Sequence, residues 1–290
     1  MRLANLVHPD RPDAAALRTA QGHVWVADAA RVAGADWPGT IAALLDGGAF
    51  EALRGWASAN PDAVAALPAA DAGWRIGPPL RHPRKILGVG LNYAEHAGDL
   101  GERRPDEPAT FMKPATTIVG PGEEVVLPSQ SLRTTGEAEL GLVVGRRCRD
   151  LTESEALDAV AAAVPILDMT AEDILQRNPR FLTRAKSFDT FFAFGPHLVT
   201  LDEVGELAAL EVRITLDGVA QRRNTVANMM FSPRALVAFF SQVMTLEPGD
   251  VISTGTPGAV VLRHGATIGC VIPGVGEIAC PVRDRKVGAG

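Results

Sequence analysis

Cysteine is scarce in this chain. Its three cysteines, Cys148, Cys270 and Cys280, form no CxxC pair and are odd in number, which excludes a disulfide framework and a thiolate zinc site and leaves them as small buried hydrophobes. Long apolar runs are missing too. The richest, "AVAAAVPILD" from Ala159 to Asp168, is too short and too proline-interrupted to span a bilayer, and the opening "MRLANLVHPDRP" has no apolar leader, so a cytoplasmic chain is expected. Basic charge is in deficit: 28 Lys and Arg against 34 Asp and Glu give a formal net charge of -6. That balance disfavours nucleic acid and anionic membranes as partners and points to a small-molecule ligand. The stretch "GVGLNY" begins like a dinucleotide-binding turn, but Tyr93 stands where the third glycine belongs, so nucleotide binding is not expected. No internal repeat or low-complexity tract is present.

A length of 290 residues suits one main domain with a small appendage. Residues 1–75 read as a small N-terminal domain, with a hairpin pattern around "ALRTAQGHVWVAD" and helical pattern from Gly39 to Pro68. "GWRIGPPLRHPRK", punctuated by Gly and Pro, reads as a linker into a main domain over residues 76–290. From Ile86 on, short strand-like runs ("KILGVGL", "EAELGLVVG", "LEVRITLDG", "DVISTG", "VIPGVGEIACPV") alternate with turns. Helical stretches are expected in "TESEALDAVAAAV" and "SPRALVAFFSQVM". The expected class is α+β, mainly β, without the regular βαβ order of a doubly wound sheet.

Chemistry gathers in that second part. In "GEAELGLVVG" the alternation of a strand puts Glu137 and Glu139 on one face and Ala138, Leu140 and Leu142 on the other. At a rise of roughly 3.3 Å per residue the two carboxylates start about 6 to 7 Å apart, and they repel unless a cation lies between them. Asp168 ends an apolar run, where a strand would stop and present its last side chain at a cleft. Three carboxylates without histidine or thiolate make a hard oxygen site for Mg²⁺, Mn²⁺ or Ca²⁺. His96 and Asp99 in "NYAEHAGDL" stand at i and i+3, so the carboxylate can orient the imidazole as a base. "TRAKSFD" offers two cations, Arg184 and Lys186. The bland reading of each feature alone is a solvated surface group.

Taken in order, "GVGLNYAEHAGDL", "TFMKPATTIVGPGEEVVLP", "GEAELGLVVG", "ILDMTAED", "RAKSFDTFFAFGP" and "MTLEPGDVISTGTPG" closely resemble successive motifs of the fumarylacetoacetate hydrolase family, over roughly Ile86 to Val282. The resemblance implies a mixed β-sandwich or roll as catalytic domain, with residues 1–75 as the variable N-terminal part. It implies Glu137, Glu139 and Asp168 as ligands of Mg²⁺ or Mn²⁺, and His96, Asp99 and Lys186 as catalytic residues. Thr256 of "TGTPG" then falls near a substrate carboxylate or carbonyl. One departure bears on specificity: where many members place an Arg after the metal aspartate, this chain has Glu172, so either Glu172 lines the substrate pocket with Arg184 supplying the guanidinium, or the two pair with each other. The implied activity is hydrolysis of a C–C bond in a β-diketo acid, such as an acylpyruvate, fumarylpyruvate or sugar-derived diketo acid, through a metal-bound enolate. The same parts suit isomerase, decarboxylase, hydratase or lyase chemistry on a 2-oxo acid, and a non-catalytic metal-binding member is the contrasting class. A homodimer is also implied.

Overall fold

A computed structural model describes residues 1–94 and 106–287. Among these residues thirteen strands form one mixed sheet and five form a second, smaller one. The large sheet is organised around two long antiparallel neighbours, Thr134–Val144 and Val160–Ala171. Both are buried along nearly their whole length. Beyond Thr134–Val144 come Val251–Ser253, Ile86–Gly90 and the edge strand Ala109–Lys113. That edge strand continues through the turn Ala115–Thr117 into Ile118–Val119, which pairs in parallel with Phe192–Phe194. Phe192–Phe194 pairs back onto Val160–Ala171, so the sheet closes on itself as a roll.

The alternation expected at residues 136–145 holds, but neither face is wet. Ala138, Leu140, Leu142 and Val144 belong to the core between the two sheets, with the helix Pro233–Val243. Val143 and Ile166, on the carboxylate side, belong to a second core under the N-terminal helices, with Ile41, Leu44, Leu45, Phe50 and Leu53. Each such side chain contributes roughly 1.5 to 3 kcal/mol by leaving water. A carboxylate on this face is therefore surrounded by buried hydrophobes farther along its own strand. All three cysteines are free and buried, and burial pushes the Cys270 and Cys280 thiols up to about 12.

Two stretches fold differently from the sequence pattern. The run expected to be helical over residues 152–164 is helix only through Glu153–Ala156 and a 3-10 turn Leu157–Ala159, then strand from Val160. Alanine favours helix in isolation, but Ala162 and Ala163 are clasped between Thr134–Val144 and His197–Thr200, where small side chains fit a sheet covered on both faces. The segment read as a linker opens with the strand Arg75–Gly77, paired with Asn5–Val7. Three residues are too few to show a period, and the prolines that follow end it. Residues 1–77 meet the rest through Arg2–Ala4, which pairs with His197–Val199 of the large sheet.

That junction holds a pair of histidines. His23 and His197 stack at 5.2 Å between ring centroids, with their Nε2 atoms 2.9 Å apart. Burial, then the charge of His23, holds His197 down to about 4, and burial, then Arg18, lowers His23. As pH falls below roughly 6.5 the unfolded chain takes up these protons while the folded one does not, until about pH 4 for His197. The stability held by neutral histidine is thus complete above that window and lost downward through it, for His197 at no more than about 1.4 kcal/mol per pH unit. Urea titrations at pH 7.5, 6 and 5 are expected to show a flatter loss in His197→Gln than in the natural protein. Parallel slopes would show that the pair does not titrate with folding.

Candidate metal centre

The centre grows from the register of the two long strands. Asp168 stands opposite Glu137, and Ile166 opposite Glu139. Directly opposed residues share a face, so the strand pairing brings Asp168 to the side already occupied by both glutamates. One carboxylate oxygen of each lies within 4.8 Å of the others. Glu139 is 1% exposed and Asp168 0%, which removes the reading of these acids as solvated edge groups. Asp168 does not end its strand, as the apolar run suggested: the strand continues to Ala171, and Asp168 points inward.

Neighbouring strands supply the partners. Ser253, at the end of Val251–Ser253 and paired with Gly141, donates its hydroxyl to Glu139 Oε2 at 2.6 Å, and the Gly255 amide donates to the same oxygen at 2.7 Å. Gly255 has φ +98°, and a Cβ there would sit 2.7 Å from Asn92 Cβ, so the loop admits no side chain at this point. Asn92 is the staple behind it, donating from Nδ2 to the carbonyls of Thr254 (2.7 Å) and Phe231 (3.0 Å) and accepting the Phe231 amide at 2.8 Å. The chain thus enters residues 95–105 from an anchor that touches the loop holding Glu139.

Two ammonium groups face the acids. Lys186 Nζ donates to Glu137 Oε2 at 2.6 Å and Asp168 Oδ2 at 2.7 Å, and lies 4.7 Å from the centroid of Phe111. Lys113, on the inner face of Ala109–Lys113 two residues after Phe111, donates to Asp168 Oδ1 and to the Met169 carbonyl. Sequence reasoning missed Lys113. Its only signal was the buried-face spacing Phe111, Lys113 in a short strand, which also fits an edge residue pointing to water. Burial, then the charges of Asp168 and Glu137, pushes the Glu139 carboxyl up to about 8. Burial, opposed by Asp168, pulls the Lys113 ammonium down to about 8, whereas around Lys186 the three carboxylates outweigh burial and raise it. Crowding three acids together, two of them fully buried, resists a third negative charge until a cation enters, and an all-oxygen donor set fits a hard divalent cation.

Residues 85–283 match the family described as fumarylacetoacetate (FAA) hydrolase C-terminal. The chain belongs to the fumarylacetoacetate hydrolase family. It is 30% identical to maleylpyruvate hydrolase from Sphingobium sp. SYK-6, solved with manganese(II) and pyruvate, with a TM-score of 0.78 over 98% of this chain and 99% of that one. It is 28% identical to 5-carboxymethyl-2-hydroxymuconate delta-isomerase from Mycobacterium smegmatis, with a TM-score of 0.72 over 98% and 99%. A Burkholderia cenocepacia (strain HI2424) protein, named provisionally as a hydrolase, is 38% identical over 231 residues, 77% of this chain and 82% of that one. The family resemblance read from the motifs and the expected mainly β, α+β fold both stand, and the relatives include hydrolases and an isomerase.

Of the other expected site residues in this fumarylacetoacetate hydrolase family chain, Thr256, Arg184 and Glu172 each have hydrogen-bond partners of their own. His96 and Asp99 lie outside the described residues. Thr256 is buried, and its hydroxyl closes its own loop, donating to the Gly258 carbonyl and accepting the Gly258 amide. Arg184 does not join Lys186: the segment Leu182–Lys186 is helical, and positions two apart on a helix face different ways. Arg184 instead donates to Gln130 at 3.0 Å on the exposed side. Nor does Glu172 pair with Arg184. It accepts from Arg133 Nε and Gln176 Nε2, each at 2.8 Å, in the first turn of Glu172–Arg177. A pocket-facing Glu172 would make Glu172→Arg a better enzyme for small acylpyruvates. The pairing seen here predicts no gain in kcat/KM for acetylpyruvate and a lower Tm, because the new guanidinium would meet Arg133. A several-fold gain would show that position 172 reaches the substrate after all.

Proposed function

We propose that the chain is a divalent-metal-dependent hydrolase that cleaves a C–C bond of a β-diketo acid and releases a 2-oxo acid and a carboxylate. One observation carries this reading: three carboxylates, two of them fully buried, converge from paired strands, with a lysine ammonium held between two of them. Glu137, Glu139 and Asp168 would hold Mn²⁺ or Mg²⁺, which supplies Lewis-acid polarisation of a chelated carbonyl. Lys186 is fixed by its two carboxylates and covered by the Phe111 ring, so its remaining N–H is preorganised for an oxygen on which negative charge develops. His96, oriented by Asp99, takes a proton from water as the water oxygen adds to the carbonyl carbon remote from the 2-oxo acid. The C–C bond then breaks, its electron pair leaves as the enolate of the 2-oxo acid beside Lys186, and a proton added at carbon completes the product.

Isomerisation of an unsaturated 2-oxo acid is the second reading, favoured by the likeness to the Mycobacterium smegmatis isomerase. A panel of acetylpyruvate, fumarylpyruvate, maleylpyruvate, oxaloacetate and sugar-derived diketo acids, incubated with the Mn²⁺-loaded protein, separates the two. Pyruvate released one-to-one with a carboxylate supports hydrolysis, whereas loss of enol absorbance without pyruvate supports isomerisation. No conversion of any member contradicts both. The proposed assembly is a homodimer, and a monomeric mass by light scattering would overturn that part.

A further inference from the structure

We propose that Lys113 sets the net charge of the acidic centre, so that the site binds an anionic ligand over its divalent cation rather than the cation alone. This rests on the reading of Glu137, Glu139 and Asp168 as cation ligands. The side chain of Lys113 is 1% exposed, and its ammonium is engaged by Asp168 Oδ1 and the Met169 carbonyl. Lys186 holds the opposite oxygen of the same carboxylate and reaches on to Glu137. Asp168 is therefore bracketed. Oδ2 is held by the lysine that also holds Glu137, while Oδ1 is held by Lys113.

The two lysines face three carboxylates, so a bound dication brings the cluster to one positive charge. Without Lys113 the total would be zero. An ammonium in a closed interior is costly to desolvate, and a hydrophobic residue of similar volume commonly serves packing as well or better. Stability thus gives no reason for a lysine on this inner face, whereas a residual positive charge attracts the carboxylate and enolate oxygens of a 2-oxo acid at short range and low dielectric. Lys113 is a positioning residue here, acting through Asp168 and through charge.

Calorimetric titration of Mn²⁺, then of oxalate onto the Mn²⁺-loaded protein, tests this in the natural protein, Lys113→Met and Lys113→Gln. Both variants are expected to bind Mn²⁺ at least as tightly as the natural protein and oxalate about tenfold or more weakly. The glutamine retains a hydrogen bond to Asp168, so agreement between the variants assigns the effect to charge. Mn²⁺ and oxalate weakening together, or oxalate binding unchanged, overturns the proposal, because a purely structural lysine moves both affinities or neither. A variant that stays unfolded in excess Mn²⁺ also overturns it, since the dication would then fail to compensate the missing charge. Failure of the natural protein to bind Mn²⁺ would instead sink the metal reading on which this one rests.

Discussion

His96→Ala is expected to lower kcat by roughly 10²- to 10⁴-fold while leaving Mn²⁺ affinity unchanged. The centre has acids, ammonium groups and a serine, and among the described residues no histidine makes a hydrogen bond or ion pair to it. His23 is spent on His197, His8 on the Asp10 amide and His264 on the Asp284 amide. Lys186 is held charged by three carboxylates, which suits a donor and disqualifies it as a base near neutral pH. His96, proposed above as the base, follows Asn92 by four positions in the sequence, and the Asn92 side chain bonds the loop whose amide holds Glu139. Steady-state kinetics on a confirmed substrate, with Mn²⁺ binding measured in parallel, decides it. A variant with natural kcat would shift the proton transfer away from His96, and one that had lost Mn²⁺ would show a structural role instead.

Lys186→Met is expected to cost about 10²- to 10³-fold in kcat, the range for losing one preorganised donor at a developing oxyanion. The isostere keeps the stem beneath Phe111 and removes the ammonium that bridges Glu137 and Asp168. Less positive charge then faces a cation, so Mn²⁺ should bind as tightly as before or tighter. The split between a large loss in kcat and preserved metal affinity is the signature of a group acting in the transition state. Equal loss of both would make Lys186 a scaffold for the carboxylates.

Much of this centre was legible because strands advertise their faces. The alternation from Glu137 to Val144 names the two glutamates as neighbours before any pairing is known, and Asp168 follows as the acid closing an apolar run. What alternation cannot give is register. Only the pairing of Asp168 with Glu137 shows that the third acid joins them, and it joins from inside the strand rather than from its end. Residue pattern alone did not show how the sheet closes, and Lys113 was missed with it: the chain after its edge strand returns as Ile118–Val119 to pair with Phe192–Phe194, the strand opposite Asp168. Arg184 and Lys186 stand two apart in a polar stretch too short to show a period, so the sequence could not say where either points; a single helical turn over Leu182–Lys186 sends the two apart. The alanines after Ala159 were read by propensity, and burial between two strands overrode it.

The most direct test of the metal centre is Mn²⁺ titration of the natural protein beside Glu139→Gln, followed by the loss of the free-ion electron paramagnetic resonance signal. Glutamine preserves size and can still face the Ser253 hydroxyl and the Gly255 amide, so the change removes anionic charge at one ligand position and little else. The account predicts one Mn²⁺ per natural chain and affinity at least about tenfold weaker in the variant. Equal affinity in the two proteins would contradict it, and would mean that the acids gathered at Glu137, Glu139 and Asp168 are held by their lysines alone.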